Sequence, residues 1–364
     1  MDSTARAITF DVDGRCNYCT EFLARAGGEL FKDPAERERE LGILVDRLTR
    51  EGRGKPYDCI MGLSGGVDSS SAIVKAIALG LRPLAVHMDN GWNSELAQSN
   101  IENLVRGLGV DLVTYVVDWR EYRSLMQAFF AADVIDIELL YDNAMYAVNY
   151  RQAHIWNTRW ILAGTNLATE GMRIPPAWNW LKYDKRNIKA LRRAHDGGTL
   201  RSFPSIGTLG YSWNLLARRV QWVSFLDYFE FNKAEAIAEL QRDFHYKPYP
   251  HKHYESVFTR LYMGHILPTK FDVDMRKVDY SNLIVSGQMT RDEATRLLQE
   301  PPYPSQADLD RDIAYFRKKL GWSQEDWAAY LARPERGHAE YASERGLYTG
   351  VRDLSRRIRP ASAR

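Results

Sequence analysis

The stretch CIMGLSGGVDSSS, Cys59 to Ser71, sets hydroxyls, glycines and one carboxylate at the mouth of an apolar run. Gly65 and Gly66 let the backbone take positive φ and approach an anion closely. Free N–H groups at a helix start, with the helix dipole behind them, favour phosphate. Ser64, Ser69 and Ser70 add hydroxyl donors, and Val67 fills the place between the glycines and Asp68. Asp68 suits a phosphate site when Mg²⁺ bridges the two, or it caps the turn. This is not the G-x-x-x-x-G-K-[ST] loop, because Val67-Asp68 stands where that loop needs a lysine. The bland alternative is an ordinary Gly-Ser turn between a strand and a helix.

A loop of this kind must sit at the carboxyl end of a strand in an open parallel sheet, where such sheets bind ligands. The flanking sequence supplies the elements. Tyr57–Leu63 reads as a buried strand, and the run after it as a helix stopped by Gly80. Arg82–Met88, Asp111–Val117 and Arg159–Gly164 read as three more strands, with helices near 94–109, 119–131 and 138–157 between them. Arg219–Leu226 reads as a fifth strand. Short β-rich runs alternating with helices predict an α/β fold with a parallel sheet covered on both faces. The division expected is a polar Cys-containing segment with a lead-in helix (1–52), the sheet domain (53–230), a mostly helical part (231–335) and a basic tail (336–364). Residues 165–212 mix Gly, Pro, Trp and Asn and read as loops with short helices, which at this length are often functional.

Composition narrows the function. With 49 basic and 47 acidic residues the net charge is +2, which gives no sign of a nucleic-acid surface. No apolar run approaches the roughly 18–20 residues that span a bilayer, and the first residues, MDSTARAITFDVDG, carry no signal-peptide core. Three cysteines among 364 residues argue against a disulfide scaffold and for a reducing cytoplasm.

The loop SGGVDSS resembles the S-G-G-x-D-S loop of the PP-loop ATP pyrophosphatases, which place AMP on an oxygen and release pyrophosphate. The resemblance implies ATP with Mg²⁺ as cofactors and catalytic roles for Ser64, Asp68 and Ser69. It also implies an adenine site at the second strand's tip, at Met88, Asp89 and Asn90, and a further site after the fourth strand, at Gly164, Thr165 and Asn166, with Glu170 aimed at the same crevice. Polar loop caps are the alternative for both. Sulfur transfer on the enzyme's own thiol is closed, since no cysteine follows Cys59. A built-in glutaminase is not visible either: position 2 is Asp2, and Cys59 falls in an expected core strand.

Together ITFDVDGRCNYC, YDCIMGLSGGVDSS, DNGWNSELAQSNIENL, GTNLATEG, KHYESVFTRLYMGHILPTKF and LIVSGQMTRDEAT resemble the N-acetyl sugar amidotransferases of bacterial O-antigen and nonulosonic-acid pathways. The resemblance covers roughly residues 7–303. It implies conversion of an acetamido group on a nucleotide-activated sugar into an acetamidino group, through an adenylylated imidate. It implies ammonia from a partner glutaminase and a cyclase-like subunit, while the charge balance and the lack of an apolar span predict no nucleic-acid or membrane partner. Expected substrate residues are Glu170, Trp178, Asn179, His253, Tyr254, Glu255, Arg260, Lys270 and Arg276, with core packing or structural hydrogen bonds as the alternative. Two departures from the family bear on the site: Val67 stands where lysine is frequent, and Pro250-His251 where Gly-Gly is usual. A PP-loop tRNA-modifying enzyme fed by a separate sulfur carrier, and a non-catalytic nucleotide-binding scaffold, are the rival readings.

Cys16-Asn-Tyr-Cys19 has zinc-knuckle spacing, but a structural zinc wants four ligands. The family usually has a second C-x-x-C just upstream. The expectation is either a zinc half-site at Cys16 and Cys19, in a chain whose true start lies upstream of Met1, or a pair of unmetallated thiols where the site has been lost.

Overall fold

The computed structural model describes residues 1–249 and 254–358. Five parallel strands form one sheet in the order β3-β2-β1-β4-β5: β1 Cys59–Gly62, β2 Pro83–Asp89, β3 Leu112–Val116, β4 Trp160–Ala163 and β5 Gln221–Ser224. The chain builds outward from β1 to β3, then crosses back to lay β4 on the other side of β1. The strand order therefore reverses between β1 and β4, the place where open α/β sheets bind ligands. Each strand falls inside the run expected for it or within a residue of it.

Alternation along the strands feeds two cores. Cys59, Met61, Trp160 and Leu162 point into one, with α3 (Val67–Ala78) against them. Ile60, Leu84, Val86 and Ile161 point into the other, with α6 (Leu139–Ile155) against them. The remaining helices up to the end of the sheet region are α1 (Asn17–Leu30), α2 (Pro34–Glu51), α4 (Glu95–Leu108), α5 (Trp119–Ala131), α7 (Leu167–Glu170), α8 (Lys185–Ala194), α9 (Thr208–Leu216) and α10 (Lys233–Phe244). Helix α1 stands where the sequence read as a short polar segment. It buries Tyr18, Phe22 and Ala26 at i, i+4 and i+8, a stripe that its two glycines and the cysteine pair obscured.

Local signals set the ends of these elements. Asp33 caps α2 ahead of Pro34, and Asp118 caps α5 through the N–H groups of Arg120 and Glu121. Gly80 takes φ +76° just past α3. Thr290 caps the helix Arg291–Gln299 by accepting from Glu293 N.

Beyond the sheet the chain is mostly helical. Val257–Leu261, a π turn Tyr262–Ile266 and Leu267–Phe271 follow one another and pack across the sheet's carboxyl edge. Residues 336–358 hold a buried His338, a short 3-10 turn and a helix Arg345–Ile358. Ser343 and Glu344 bond to Asp184 at the start of α8, which ties this segment to the sheet domain. No helix among the described residues is long and apolar enough to cross a membrane.

Candidate active site

The loop after β1 is stapled by its own hydroxyls. Ser64 Oγ and Ser69 Oγ lie 3.0 Å apart, and Ser69 Oγ also donates to Gly66 O at 3.2 Å. Gly66 N donates to Ser64 Oγ, and Ser64 N to Ser69 Oγ. Gly65 has φ +82°, and a Cβ there would meet Ala97 O at 2.8 Å, so position 65 requires glycine on two counts. Its carbonyl accepts from Tyr249 Oη at 3.0 Å. Helix α3 then begins at Val67 with no side-chain cap, which leaves its first N–H groups facing outward.

A cavity of about 690 Å³ opens over this loop. Ser64, Gly66, Val67, Asp68 and Ser69 line it from the loop, Met88 and Asn90 from β2, and Gly164 and Thr165 from β4. The end of β4 lies almost on the loop: a Cβ on Gly164 would stand 2.6 Å from Ser69 N and 2.7 Å from the Asp68 carbonyl. Glu170, Trp178 and Asn179 also line the cavity, so these three expected substrate residues do face the loop. Trp178 is at the same time part of the core, at 5% exposure.

Glu255 stands close to the SGGVDSS loop. The segment 255–257 pairs with the turn after β2, through Ser94 N to Glu255 O and Val257 N to Trp92 O, both 2.8 Å. This lays the Glu255 carboxylate over Gly66, where a Cβ on that glycine would collide with it. Asp68 and Glu255 thus both border the loop. Hard carboxylate oxygens beside phosphates are the donors Mg²⁺ takes.

Several expected site residues point elsewhere, for identifiable reasons. The Asp89 carboxylate accepts from Gly91 N at 2.8 Å and from Asn93 Nδ2, so it closes its own turn instead of entering the cavity. Asn166 caps α7 by accepting from Thr169 N at 2.8 Å. Ser70 is fully buried on α3, outside the lining. Arg260 is paired with Asp312 at 2.6 Å. Arg276 is paired with Asp274 at 2.7 Å and bonded to the carbonyls of Leu297 and Glu300. The Lys270 ammonium is enclosed with Asp133 at 3.0 Å and the Tyr330 and Arg333 carbonyls. Tyr254, Arg260 and Arg276 line a neighbouring cavity of about 340 Å³, and Tyr254 Oη reaches Pro302 O. His253 and the Pro250-His251 departure lie outside the described residues.

The opposite wall holds residues that were not expected at the site, of which Thr259 alone lies within a quoted motif. Asp136, Glu138, Tyr141, Asp142, Asn149, Lys182 and Thr259 all line the cavity. Lys182 Nζ lies 2.7 Å from Asp136 and 2.9 Å from Asp142. Burial opposes its charge, but those two carboxylates outweigh burial and hold its pKa above the ordinary lysine value. Asp136 also accepts from Trp180 N at 2.7 Å. The available signal was DVIDIELLYD, residues 133–142: four carboxylates inside an apolar run, where buried acids need partners or a task.

Cys16 and Cys19 meet at the start of α1 with sulfurs 3.3 Å apart. Burial, then the bond to Cys16, pushes the Cys19 thiol up to about 11. No third Cys, His, Asp or Glu joins them among the described residues, so the pair does not make up a four-ligand zinc site. Cys59 lies in the core of β1, and burial raises its thiol far above the reactive range.

Residues 255–355 match the family model described as LPS biosynthesis protein WbpG-like, C-terminal domain. The match begins at Glu255, over the loop, and takes in the helices after residue 303 that carried no motif. No curated protein matches the chain. Similar solved structures include the NMN synthetase from Francisella tularensis, at 16% identity and TM-score 0.30, covering 61% of this chain and 99% of that one. The NH3-dependent NAD synthetase from Campylobacter jejuni, in complex with nitrate, matches at 15% and 0.29, over 58% and 94%. The glutamine-dependent NAD+ synthetase from Acinetobacter baumannii, in complex with ADP, matches at 15% and 0.34, over 74% and 44%.

Proposed function

We propose that this protein is an ATP-dependent amidotransferase of lipopolysaccharide biosynthesis, turning an acetamido group of a nucleotide-activated sugar into an acetamidino group. The observation that carries the reading is the SGGVDSS loop at the β1/β4 switch point, opening into one cavity with the first residues of a WbpG-like domain. The loop's outward N–H groups suit the pyrophosphate of ATP. Six carboxylates but only two ammonium groups line the cavity among the described residues. Such a wall repels a bare triphosphate, so the nucleotide would enter with a divalent cation. Asp68 and Glu255 would hold that ion, which neutralises charge at the phosphates.

The same wall suits the other reactant. A neutral acetamido group becomes a cationic amidinium, and carboxylates stabilise positive charge that develops along the way. An amide carbon is a poor electrophile, and adenylylation of its oxygen supplies a leaving group. No protein nucleophile is required, and no cysteine lines the cavity. In this reading a separate glutaminase and a cyclase-like subunit deliver the ammonia.

The test is mass spectrometry of products from Mg·ATP, ammonium and a panel of UDP- and CMP-linked acetamido sugars. The expected result is a sugar in which O is replaced by NH, together with AMP and pyrophosphate, and loss of all three with Asp68→Ala. AMP release with no change in any sugar would direct attention to another acceptor. No AMP with any sugar would end the amidotransferase reading.

A further inference from the structure

Helix α6 runs along the cavity and shows it Glu138, Tyr141, Asp142, Met145 and Asn149, a single face at helical spacing. The functional groups on this face are mostly acceptors. Asn149, at 3% exposure, keeps its Oδ1 without a hydrogen-bond partner, ready for an N–H donor in the cavity. Asp142, with Asp136 beside it, is held by Lys182. Glu138, just before the first turn, has a different environment: its Oε1 accepts from the Thr259 hydroxyl at 2.8 Å, and among the described residues no ammonium or guanidinium forms an ion pair with it. Its side chain is half-buried and lines the cavity.

Those surroundings keep Glu138 able to change protonation state. Burial first, then the charge of Asp142, pushes its carboxyl up to about 8. The Thr259 hydrogen bond and Lys182 pull the other way, and Asp136 adds to the rise. Tyr122, Tyr141 and Tyr262 also face it, each with its phenol pushed up by burial, so they stay neutral beside it. A carboxyl that titrates near neutrality inside a reaction cavity is matched to proton transfer.

We propose that Glu138 is the general base of the amidination step: it takes the proton from the incoming nitrogen and, as the reaction ends, faces the amidinium it helped to form. This rests on the amidotransferase reading. Transfer of AMP to the amide oxygen breaks the bond between the α-phosphorus and the bridging oxygen, and leaves a cationic imidate, R–NH⁺=C(OAMP)CH₃. The lone pair of ammonia forms the new C–N bond, which moves the positive charge onto an –NH₃⁺ group. Glu138 accepts one of those protons. The C–O bond to AMP then breaks, its electron pair leaving with AMP, and nitrogen lone pairs give R–NH–C(=NH₂⁺)CH₃. One proton goes to Glu138 and one positive charge stays on the product.

The experiment compares two nucleophiles in wild type and Glu138→Gln, with Mg·ATP and the same panel of UDP- and CMP-linked acetamido sugars. The ammonia adduct must lose a proton from its –NH₃⁺ group on the enzyme. The electron-withdrawing hydroxyl makes the nitrogen of the hydroxylamine adduct far more acidic, so it gives its proton to water and depends far less on a base. The glutamine keeps the size of the side chain and an acceptor for Thr259. The expected result is a fall of about 10²-fold or more in ammonia-dependent amidine formation, within the usual range for a general base. The hydroxylamine product should persist, and the ammonia reaction should lose the acid limb of its pH profile. Equal loss with both nucleophiles would make Glu138 a structural residue and overturn the proposal, as would an unchanged ammonia rate. A wild-type enzyme that forms neither product with any sugar would overturn the amidotransferase reading itself, and the role of Glu138 with it.

Discussion

Two glycines of the site make opposite demands, and a substitution at each separates stability from chemistry. At Gly164 a Cβ would press on the backbone of Asp68 and Ser69, which has no room to yield. Gly164→Ala should therefore cost about 1–3 kcal/mol by overpacking, read from urea unfolding, and also weaken ATP use by shifting the loop. At Gly66, with φ −78°, the added methyl would meet the end of the Glu255 side chain, which can swing away, and would lie 3.3 Å from Ser64 Oγ, with no backbone atom in its path. Gly66→Ala should unfold within about 0.5 kcal/mol of wild type, as surface changes without a backbone clash do, yet weaken Mg·ATP binding by displacing Glu255. Equal unfolding midpoints for the two variants would contradict this account. At this scale the sequence showed which residues stand at the strand ends but not which way each one turns. Asp89 and Asn90 are neighbours whose side chains both close the turn, through Gly91 N and Trp92 N, yet only Asn90 also lines the cavity. Asn166 follows Thr165 and spends its side chain on a cap. Short polar side chains bond to their own backbone readily, and spacing alone does not reveal when they do.

Among elements, α6 was legible as a helix, but its use was not. It is buried on nearly every side, so it has no polar face to mark the side that borders a cavity. The wall opposite the loop depends on one ion triad that joins the segment before α6 to the segment before α8. Lys182 sits between Asp136 and Asp142, and Asp136 also holds the Trp180 N–H. Removing the cation leaves two carboxylates facing each other in a cavity wall. Lys182→Met should destabilise the protein by about 3–5 kcal/mol, as loss of one partner from a buried pair does. Adding Asp136→Asn should restore part of that loss, since the repulsion would be relieved while an acceptor for Trp180 N remains. A double variant that is no more stable than the single one, by chemical unfolding, would show that the carboxylates do not interact through Lys182. The strands were easier to read than this triad because β-branched and apolar runs of four to seven residues have few other fates in an α/β chain. The partners of Lys182 lie 46 and 40 residues away in sequence, and only the fold brings them together.

At the scale of the whole molecule, the C-terminal segment supports the site from behind, and its pH response should show it. His338 is buried between the sheet domain and α8 and stacks on Trp180 with ring centroids 5.1 Å apart. Asp136 N donates to its Nε2 at 3.2 Å, while its Nδ1 lies 2.8 Å from Asn187 Oδ1. A backbone N–H can only donate, so Nε2 accepts, Nδ1 carries the proton, and the ring is neutral. Burial, the leading cause, lowers its pKa to about 4. The unfolded chain binds the proton near the ordinary value of about 6.5, so it takes up protons at a higher pH than the folded chain does. Stability from His338 is then complete above about 6.5 and is lost as pH falls toward 4, a difference on the order of 3 kcal/mol. Glu138 has the opposite sign. Its raised carboxyl keeps stability in full below the unfolded value, near 4.5, and loses it as pH rises through about 8. The two slopes oppose each other between about 4.5 and 6.5, so the wild-type profile would hide both, and the informative quantity is the difference from a variant. His338→Gln keeps an acceptor for Asp136 N and a donor for Asn187 but cannot titrate. Denaturant midpoints should therefore converge between wild type and this variant as the pH drops from 7 toward 4. Parallel profiles would mean that His338 titrates alike in the folded and unfolded chains, so that neither burial nor the Asp136 N–H holds the ring neutral.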